Sequence, residues 1–324
     1  MTQMTSDPTH NPLLSAIDLT KHFRTPGGLV RAVDGVSFDI GAGETVGLVG
    51  ESGCGKSTVG RTVLKLIEPT AGQLLFMGQD IFRLDRKARR AIRREMGIVF
   101  QDPYSALNPR MKIHRIVGEP LKTHQRMTRT ERRERVMALL ESVGMKGEHA
   151  DRFPHQFSGG QRQRIAIARS LALNPRFLIF DESTSALDVS VQAQVLKLIR
   201  DLQRDKGLAY LFITHDLHVV HLIADRIIVM YLGRLVETGP VEAVFDHPLH
   251  PYTRALLAAV PVPDPEARGE RILLEGETPS PIDLPAGCRF HTRCPLVEAV
   301  CRDEEPDLRE MGGGRRAACH LATP

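Results

Sequence analysis

The sequence contains no tryptophan, and aromatic residues make up only 5% of its 324 positions. Proteins that bind single-stranded nucleic acid stack successive bases on aromatic side chains, so this composition argues against that role. An excess of one charge is also missing, because 43 basic and 39 acidic residues leave a formal net charge of +4. A dominant nucleic-acid-binding face is therefore not indicated.

Long hydrophobic runs are absent as well. The longest apolar segments, 209–214 and 227–232, have the length of strands, whereas a membrane-spanning helix needs about 20 apolar residues. The first residues are polar and lack the basic start and apolar run of a secretory signal. These observations predict a cytosolic protein whose role at a membrane depends on a partner.

Cysteine is rare, and four of the five cysteines cluster near the C-terminus, namely Cys288, Cys294, Cys301 and Cys319. In a reducing cytosol such a cluster suggests a metal site before it suggests disulfides. Four thiolates can ligate a tetrahedral zinc or a 4Fe–4S cluster. The paired C-x2-C spacing of zinc sites is absent, so zinc is the less favoured metal. The alternative is a set of free cysteines in a small packed tail.

The alternation of short apolar runs with helical patterns predicts an α/β protein. Candidate strands at 45–49, 177–180 and 209–213 are each followed by a segment of helical periodicity. Buried strands that alternate with helices are typical of a mostly parallel sheet covered on both faces.

Composition divides the chain into segments. We predict a flexible N-terminus over 1–11 and an α/β domain over 12–244, with a helical subdomain at about 103–168. Beyond about residue 245 the sequence becomes rich in proline and ends in the cysteine cluster. We therefore predict a C-terminal extension over 245–324.

A glycine-rich segment between a predicted strand and a predicted helix fits the phosphate-loop pattern G-x-x-x-x-G-K-[ST]. It reads Gly50-Glu51-Ser52-Gly53-Cys54-Gly55-Lys56-Ser57-Thr58. Glycines let successive N–H groups point at phosphate oxygens, and the helix start adds its positive dipole end. Lys56 can pair with the β- and γ-phosphates, and the Ser57 hydroxyl can bind Mg²⁺. A glycine-rich turn that matches by chance is the alternative, and the flanking strand and helix argue against it.

Two carboxylates, Asp181 and Glu182, follow the apolar run 177–180. A buried strand can deliver Asp181 to a magnesium ion, and Glu182 can polarise an attacking water. The alternative is that the paired acids only cap the next helix. Because the sequence also contains the phosphate-loop residues Lys56 and Ser57, the catalytic interpretation is favoured.

A second anion-binding helix start is predicted at Ser158, Gly159, Gly160 and Gln161. The glycines permit close backbone approach, and the helix N-terminus offers N–H groups. Ser158 is equally an ordinary helix cap, and that interpretation does not exclude phosphate binding.

Taken in order, these motifs resemble the ATPase family of ABC transporters over roughly residues 12–245. The resemblance is carried by the phosphate loop, Gln101, Ser158–Gln161, Asp181–Glu182, Ser185-Ala186-Leu187-Asp188 and His215. It implies a P-loop NTPase core of the RecA-like type with an antiparallel β subdomain and a helical subdomain. It also implies a head-to-tail dimer, in which each ATP lies between one chain's phosphate loop and the other chain's Ser158 helix start.

The resemblance assigns further roles to single residues. Gln101 would contact Mg²⁺, together with Ser57 and Asp181, as well as the attacking water. His215 would contact the γ-phosphate, and Asp188 would lie across the dimer interface. Phe23 is placed where the family stacks an aromatic ring on adenine, with a core phenylalanine as the alternative.

Three segments resemble the dipeptide/oligopeptide importers, and the second of their two ATPase subunits in particular. They are Gln101–Arg110, Asp188–Val195 and His247–Thr253. The segment Cys288–Pro295 is similar to the extension of these ATPases, some of which carry an iron–sulfur cluster. Ser183 departs from the usual proline after the catalytic glutamate, which suggests a slightly less rigid loop.

The resemblance thus implies an ATPase at the cytoplasmic face of the membrane that powers peptide import. Its partners would be a second ATPase, two permease subunits and, indirectly, an extracytoplasmic binding protein. Importers of nickel or glutathione share the motifs and remain alternatives. A soluble ABC ATPase of translation or repair is disfavoured by the single cassette and the importer-like extension. A regulatory ATP binder without turnover is disfavoured by intact Glu182 and His215.

Overall fold

The computed structural model describes residues 12–102, 106–185, 187–259 and 276–323. The predicted flexible segment 1–11 and two parts of the quoted motifs, 103–105 and Ala186, lie outside these described residues. The chain forms two compact units. The first consists mainly of Ile40–Glu44 and Arg83–Phe212, and the second of Leu14–Asp39, Thr45–Phe82 and Ile213–Pro324.

In chain order the strands are β1 (Leu14–Thr25), β2 (Gly28–Ile40), β3 (Thr45–Val49), β4 (Ala71–Phe76), β5 (Gln79–Asp80), β6 (Met96–Val99), β7 (Phe177–Asp181), β8 (Ala209–Ile213), β9 (Arg226–Tyr231), β10 (Arg234–Pro240), β11 (Arg309–Glu310) and β12 (Arg316–Ala317). The helices are α1 (Lys56–Val63), α2 (Arg86–Ile92), α3 (Ile113–Val117), α4 (Glu119–His124), α5 (Arg129–Ser142), α6 (Gly159–Ser170), α7 (Val189–Lys206), α8 (Leu217–Ile223), α9 (Val241–Asp246), α10 (Pro251–Ala258) and α11 (Val300–Asp303). Short 3-10 turns cover Gly147–Asp151, Pro154–Gln156 and His291–Arg293.

The second unit contains the predicted antiparallel β subdomain, a sheet in the order β2-β1-β4-β5. Strand β1 pairs antiparallel with β4, Leu14 opposite Phe76 and Ile17 opposite Gln73. The inward-facing side chains of Leu14, Ala16 and Phe76 are fully buried. Burial on one face is what a sheet with one side against the core requires of its strands.

The second unit also holds a group of strands in the order β11-β12-β10-β9-β3. Strand β3, whose five residues are all buried, pairs parallel with β9, and β10 pairs antiparallel with β9. The extension adds β12 to the free edge of β10, Glu237 opposite Ala317. The last residues of the chain therefore continue the sheet that carries β3.

Aromatic rings join the extension to this sheet. The ring centroids of Tyr231 and Tyr252 are 4.7 Å apart, and the Phe290 ring lies 5.3 Å from that of Tyr231 and 5.4 Å from that of Tyr252. All three side chains are at most 1% exposed. Aromatic rings bury large apolar areas, so this cluster is a principal source of stability for the extension.

The first unit contains β8, β7 and β6 as neighbours in that order, with β6 and β7 parallel. Its helical part, α3 to α5, falls inside the segment predicted to be a helical subdomain. Helix α5 begins at a capping box in which Thr128 and Glu131 bond each other's backbone N–H groups. In the described part of the chain, no helix has the length and hydrophobicity needed to span a bilayer.

Candidate nucleotide-binding site

The loop between β3 and α1 carries glycines in backbone conformations that other residues rarely adopt. Gly50, Gly53 and Gly55 have φ values of 150°, 81° and 109°. A Cβ atom at Gly50 would lie 2.1 Å from the carbonyl oxygen of Met230, and one at Gly55 would lie 1.9 Å from that of Ala32. Gly50 and Gly55 are therefore required by space as well as by conformation. A tight glycine bend ahead of a helix directs backbone N–H groups towards an anion.

Lys56 folds back onto this loop. Its side chain is buried at 4% exposure, and Nζ donates to the carbonyl oxygens of Gly50 at 2.8 Å and Glu51 at 2.9 Å. An ammonium on a flexible stem can exchange these carbonyls for phosphate oxygens. The loop therefore keeps its cation in place next to the predicted phosphate position.

The remaining loop residues differ in exposure. Ser52 is exposed, while Ser57 and Thr58 at the start of α1 are half-buried. Cys54 is buried, and this burial raises the pKa of its thiol above the ordinary range. A buried thiol of raised pKa is a weak nucleophile, so the Cys54 side chain is a packed group of the loop.

Phe23 and His215 belong to the same unit as the phosphate loop. Phe23 lies on β1, is half-buried and has the Lys21 ammonium 4.8 Å from its ring centroid. It is not one of the buried core residues. His215 is exposed at the end of the chain segment that follows β8, just before Asp216, which caps α8.

In the first unit, the two predicted carboxylates stand at the end of β7. Asp181 is 3% exposed, and Glu182 follows in the left-handed region with φ 47°. Gln101 lies beside them, and its Nε2 donates to Glu182 Oε2 at 2.8 Å. The structure therefore brings Gln101 and Glu182 together, 81 positions apart in the chain.

The predicted magnesium ligands have the donor chemistry that this ion prefers. Asp181 offers a carboxylate at a buried strand end, Gln101 an amide oxygen, and Ser57 a hydroxyl at the start of α1. Magnesium binds through a few such oxygens and completes its shell with phosphate and water. The residues present thus fit the ion.

The predicted second anion site is the start of α6. Ser158 Oγ accepts from the Gln161 N–H at 3.4 Å, and Gln161 Oε1 accepts from the Ser158 N–H at 3.1 Å. Both side chains are exposed. The ordinary capping interpretation is therefore correct for this chain alone, and the helix start remains accessible to an anion.

Gly160 has a role that the sequence did not suggest. It is buried, and a Cβ there would lie 2.2 Å from Cγ1 of Val191 on α7, whereas one at Gly159 would meet Leu187 at 3.5 Å. Asp188 caps α7 by accepting from the Val191 N–H at 2.9 Å. Close packing of α6 on α7 thus requires glycine at position 160 only.

The four C-terminal cysteines do not form the predicted ligand set. Among the described residues, no group of three or more His, Cys, Asp or Glu side chains is arranged to hold a metal ion. Cys288 and Cys294 pack against the hydrophobic cluster that contains Tyr231 and Phe290. Burial raises the pKa of the Cys288 thiol to about 11 and raises that of Cys294 as well, which favours the thiol over the ligating thiolate.

Sequence reasoning missed that the extension contacts the phosphate loop. The Tyr252 hydroxyl accepts from the Glu51 N–H at 2.8 Å, and Arg293 donates to the Glu51 carboxylate through NH1 at 2.8 Å and NH2 at 3.1 Å. The residues involved are 201 and 242 positions apart. A charged residue inside a phosphate-binding loop was the available signal, since it calls for a partner.

Comparison with known proteins decides the family. Residues 33–185 match the family model for ABC transporters, and residues 236–301 match the model for the C-terminal region of oligopeptide/dipeptide transporters. Over 319 residues the chain is 51% identical to the oligopeptide transport ATP-binding protein AppF of Bacillus subtilis (strain 168), covering 95% of this chain and 97% of the relative. The chain belongs to the ATP-binding subunits of the oligopeptide/dipeptide ABC transporter family.

Other similarities agree with this assignment. The ABC subunit is 51% identical to the dipeptide transport ATP-binding protein DppF of Escherichia coli (strain K12), over 93% of this chain and 92% of the relative. Its fold matches cbiO1 of Clostridium perfringens with a TM-score of 0.65 at 30% identity, over 73% of this chain and 92% of the other. It matches the ATP-binding cassette MJ0796, a dimer bound to ADP and Pi, with a TM-score of 0.64 at 31% identity, over 70% of this chain and 98% of the other. The predicted ABC ATPase fold is confirmed.

Proposed function

We propose that this chain hydrolyses ATP to power the import of di- or oligopeptides, as one of two ATPases attached to a pair of permease subunits. The observation that carries the proposal is the 2.8 Å hydrogen bond between Gln101 and Glu182. Hydrolysis needs a base that orients the attacking water. This bond holds the Glu182 carboxylate, the proposed base, beside the Gln101 amide. The printed names of AppF and DppF support the peptide class. Nickel or glutathione import is the second candidate, supported only by shared motifs.

Binding would begin in the second unit. The phosphate oxygens accept hydrogen bonds from the backbone N–H groups of Gly53 to Thr58. The Lys56 ammonium moves from the Gly50 and Glu51 carbonyl oxygens to the β- and γ-phosphates. The half-buried Phe23 ring stacks on the base. His215, exposed after β8, donates to the γ-phosphate, where negative charge grows during transfer.

Residues of the first unit would carry out hydrolysis. Glu182 accepts a proton from the attacking water, and the Gln101 amide, which lies next to the Glu182 carboxylate, orients that water. Asp181, Gln101 and Ser57 would hold Mg²⁺, which supplies charge neutralisation between the β- and γ-phosphates. Asp181 ends β7 and Glu182 follows it with φ 47°, and the two acids would serve different partners.

We further propose that the Ser158–Gln161 helix start binds the γ-phosphate of ATP held by a second ATPase. A helix N-terminus that is accessible and capped only by its own serine can offer its remaining N–H groups to such a charge. Asp188 and the exposed Val189 beside it would lie at the dimer interface. Two such sites in a head-to-tail dimer make ATP part of the interface, so that binding closes the dimer and hydrolysis reopens it.

The catalytic assignment is tested by Glu182→Gln. Glutamine keeps the size of the side chain but cannot accept the proton, so turnover should fall at least about 100-fold, while ATP remains bound and holds the two ATPases together. Hydrolysis and the size of the ATP-bound complex would be measured together. Glu148→Gln, a change at an exposed glutamate of the same unit, serves as the matched control. Normal hydrolysis by Glu182→Gln would assign the base elsewhere.

The assembly proposal places the chain at the cytoplasmic face of the membrane. Purification of the tagged chain from detergent-solubilised membranes should recover two permeases and a second, similar ATPase. Recovery of ribosomes or DNA in their place would contradict the transport function and favour a soluble ABC ATPase.

The iron–sulfur cluster stays a separate proposal, and no step of the mechanism uses it. Its support is that charges on Cys294, Cys301 and Cys319 would each raise the pKa of Cys288, so the four thiols share one neighbourhood. They would have to turn towards a common centre to bind a cluster. Iron and acid-labile sulfide in an anaerobic preparation test this, and a colourless protein without iron would exclude it.

A further inference from the structure

The C-terminal extension contacts the phosphate loop at Glu51, and every polar group of Glu51 has a partner. Arg293 donates two hydrogen bonds to the Glu51 carboxylate, at 2.8 and 3.1 Å. The Thr278 hydroxyl donates to the same carboxylate at 2.9 Å. The Tyr252 hydroxyl accepts from the Glu51 N–H at 2.8 Å. The Glu51 carbonyl oxygen accepts from Lys56 at 2.9 Å. One residue thus connects the extension to the cation of the loop.

The contact is well shielded. The Arg293 side chain is 8% exposed and that of Glu51 is 26% exposed. Bidentate arginine–carboxylate pairs are strong, and they fix the relative orientation of the two side chains because both groups are planar. Burial of this kind also means that removing one partner leaves an uncompensated charge beside the phosphate loop.

The segment that presents Arg293 is itself anchored. Four residues earlier, Arg289 donates to the Asp34 carboxylate, to Glu305 Oε1 at 3.1 Å and to the Leu232 carbonyl oxygen at 2.6 Å. Between the two arginines, Phe290 is fully buried among Tyr231 and Tyr252. Arg293 therefore reaches Glu51 from a rigid base and not from a mobile tail.

The same base connects to the strand that carries Phe23. Asp34, the partner of Arg289, is bonded through Oδ1 to His22 Nε2 at 2.7 Å, and His22 precedes Phe23 on β1. The arginine partners hold the pKa of Asp34 below its ordinary value against the opposing effect of burial. Arg293 thus contacts the phosphate loop at Glu51. Arg289 is connected through Asp34 and His22 to the strand that carries Phe23.

We propose that Arg293 and Tyr252 are positioning residues for ATP binding, and that the extension keeps the phosphate loop in its binding shape through Glu51. Both side chains act on the loop through Glu51, since Tyr252 accepts from its N–H and Arg293 donates to its carboxylate. Their effect lies in preorganisation, because a loop already held needs less ordering when the phosphates arrive. Losing the contact should weaken ATP binding and leave the chemical step at saturating ATP nearly unchanged.

The test measures ATP affinity and turnover of the full-length chain assembled with its partner ATPase. Arg293→Gln and Glu51→Gln should each raise the Kd and KM for ATP about tenfold, with kcat within about twofold at saturation. Because both changes break the same contact, the double variant should resemble each single variant and not show a hundredfold loss. Arg293→Lys keeps the charge without the two-pronged geometry and should restore part of the affinity.

Two further variants separate positioning from folding. Tyr252→Phe keeps the ring in its aromatic cluster and removes only the acceptor of the Glu51 N–H, so it should raise the KM at an unchanged melting temperature. Arg316→Gln removes an ion pair to Glu310 that lies within the extension and involves no residue of the phosphate loop, and it should leave the KM as in the parent chain. Unchanged KM values in Arg293→Gln and Tyr252→Phe would overturn the proposal. So would additive losses in the double variant, or an equal loss in Arg316→Gln.

Discussion

Glu182 occupies a backbone conformation that L-amino acids avoid, with φ 47°. Ser185 stabilises the turn, since its Oγ donates to the Glu182 carbonyl oxygen at 2.9 Å. The conformation costs about 1 kcal/mol for any residue with a Cβ. The turn follows directly on Asp181, the last residue of β7.

This strain leads to a prediction at the scale of one residue. Glu182→Gly and Glu182→Ala should both abolish hydrolysis, because both remove the base. Glycine accepts a positive φ, so the glycine variant should exceed the alanine variant in free energy of unfolding by about 1 kcal/mol. Urea unfolding of the two variants measures the difference. An alanine variant at least as stable as the glycine variant would show that the turn is not strained.

At the scale of elements, the phosphate-loop motif and the apolar runs predicted several strands and a helix correctly. The phosphate-loop pattern predicted a strand, a loop and a helix, and β3, Gly50–Gly55 and α1 are confirmed in that order. The strands expected at 45–49 and 209–213 are β3 and β8, and the strand expected at 177–180 is β7 with one more residue at its end. Periodicity and caps are local signals, and so they predict elements to within a turn.

Contacts between distant elements were beyond such signals. Nothing near Glu51 indicates that its partner is Arg293, because complementary charge is common and 242 positions separate the pair. The cysteine pattern shows the same limit. Spacing predicts which thiols are available, but the packing of Cys288 and Cys294 against the cluster that contains Tyr231 and Phe290 joins residues far apart in the chain.

Helix packing gives a prediction at this second scale. Gly160→Ala should destabilise the first unit by about 1–3 kcal/mol, because its Cβ would overlap Val191 on α7. Gly159→Ala meets only an ordinary contact with Leu187 and should leave the free energy of unfolding within about 0.5 kcal/mol. Urea denaturation distinguishes the two, and equal effects would contradict the packing role. A stable Gly159→Ala variant that loses ATPase activity would then point to the partner's nucleotide.

At the scale of the whole molecule, the start of the extension is fixed by buried polar groups. Glu237 is fully buried on β10 and accepts from the N–H groups of Leu249 and His250 at 2.8 and 2.9 Å. His250 Nδ1 in turn accepts from the Tyr252 N–H at 3.0 Å and caps α10. The acceptor role requires a neutral ring, so this junction depends on pH.

Burial lowers the pKa of His250 from 6.5 to about 3, and the nearby Arg254 acts in the same direction. Between these values the unfolded chain binds a proton that the folded chain does not, so stability is complete above about pH 6.5 and falls on acidification. From pH 7 to pH 5 this histidine should account for about 2 kcal/mol of lost unfolding free energy. His250→Asn keeps an acceptor for the Tyr252 N–H without a titratable ring. Chemical unfolding at the two pH values should show a smaller loss for this variant, and equal losses would exclude His250 as the source.

The position of Arg293 so late in the chain also bears on how the protein is made. A ribosome synthesises the phosphate loop first and its anchors, Tyr252 and Arg293, more than 200 residues afterwards. Strand β12, which extends the sheet at β10, emerges later still. A chain that stalls or ends early would therefore carry the nucleotide motif without the support that shapes it, and would bind ATP more weakly than the finished subunit.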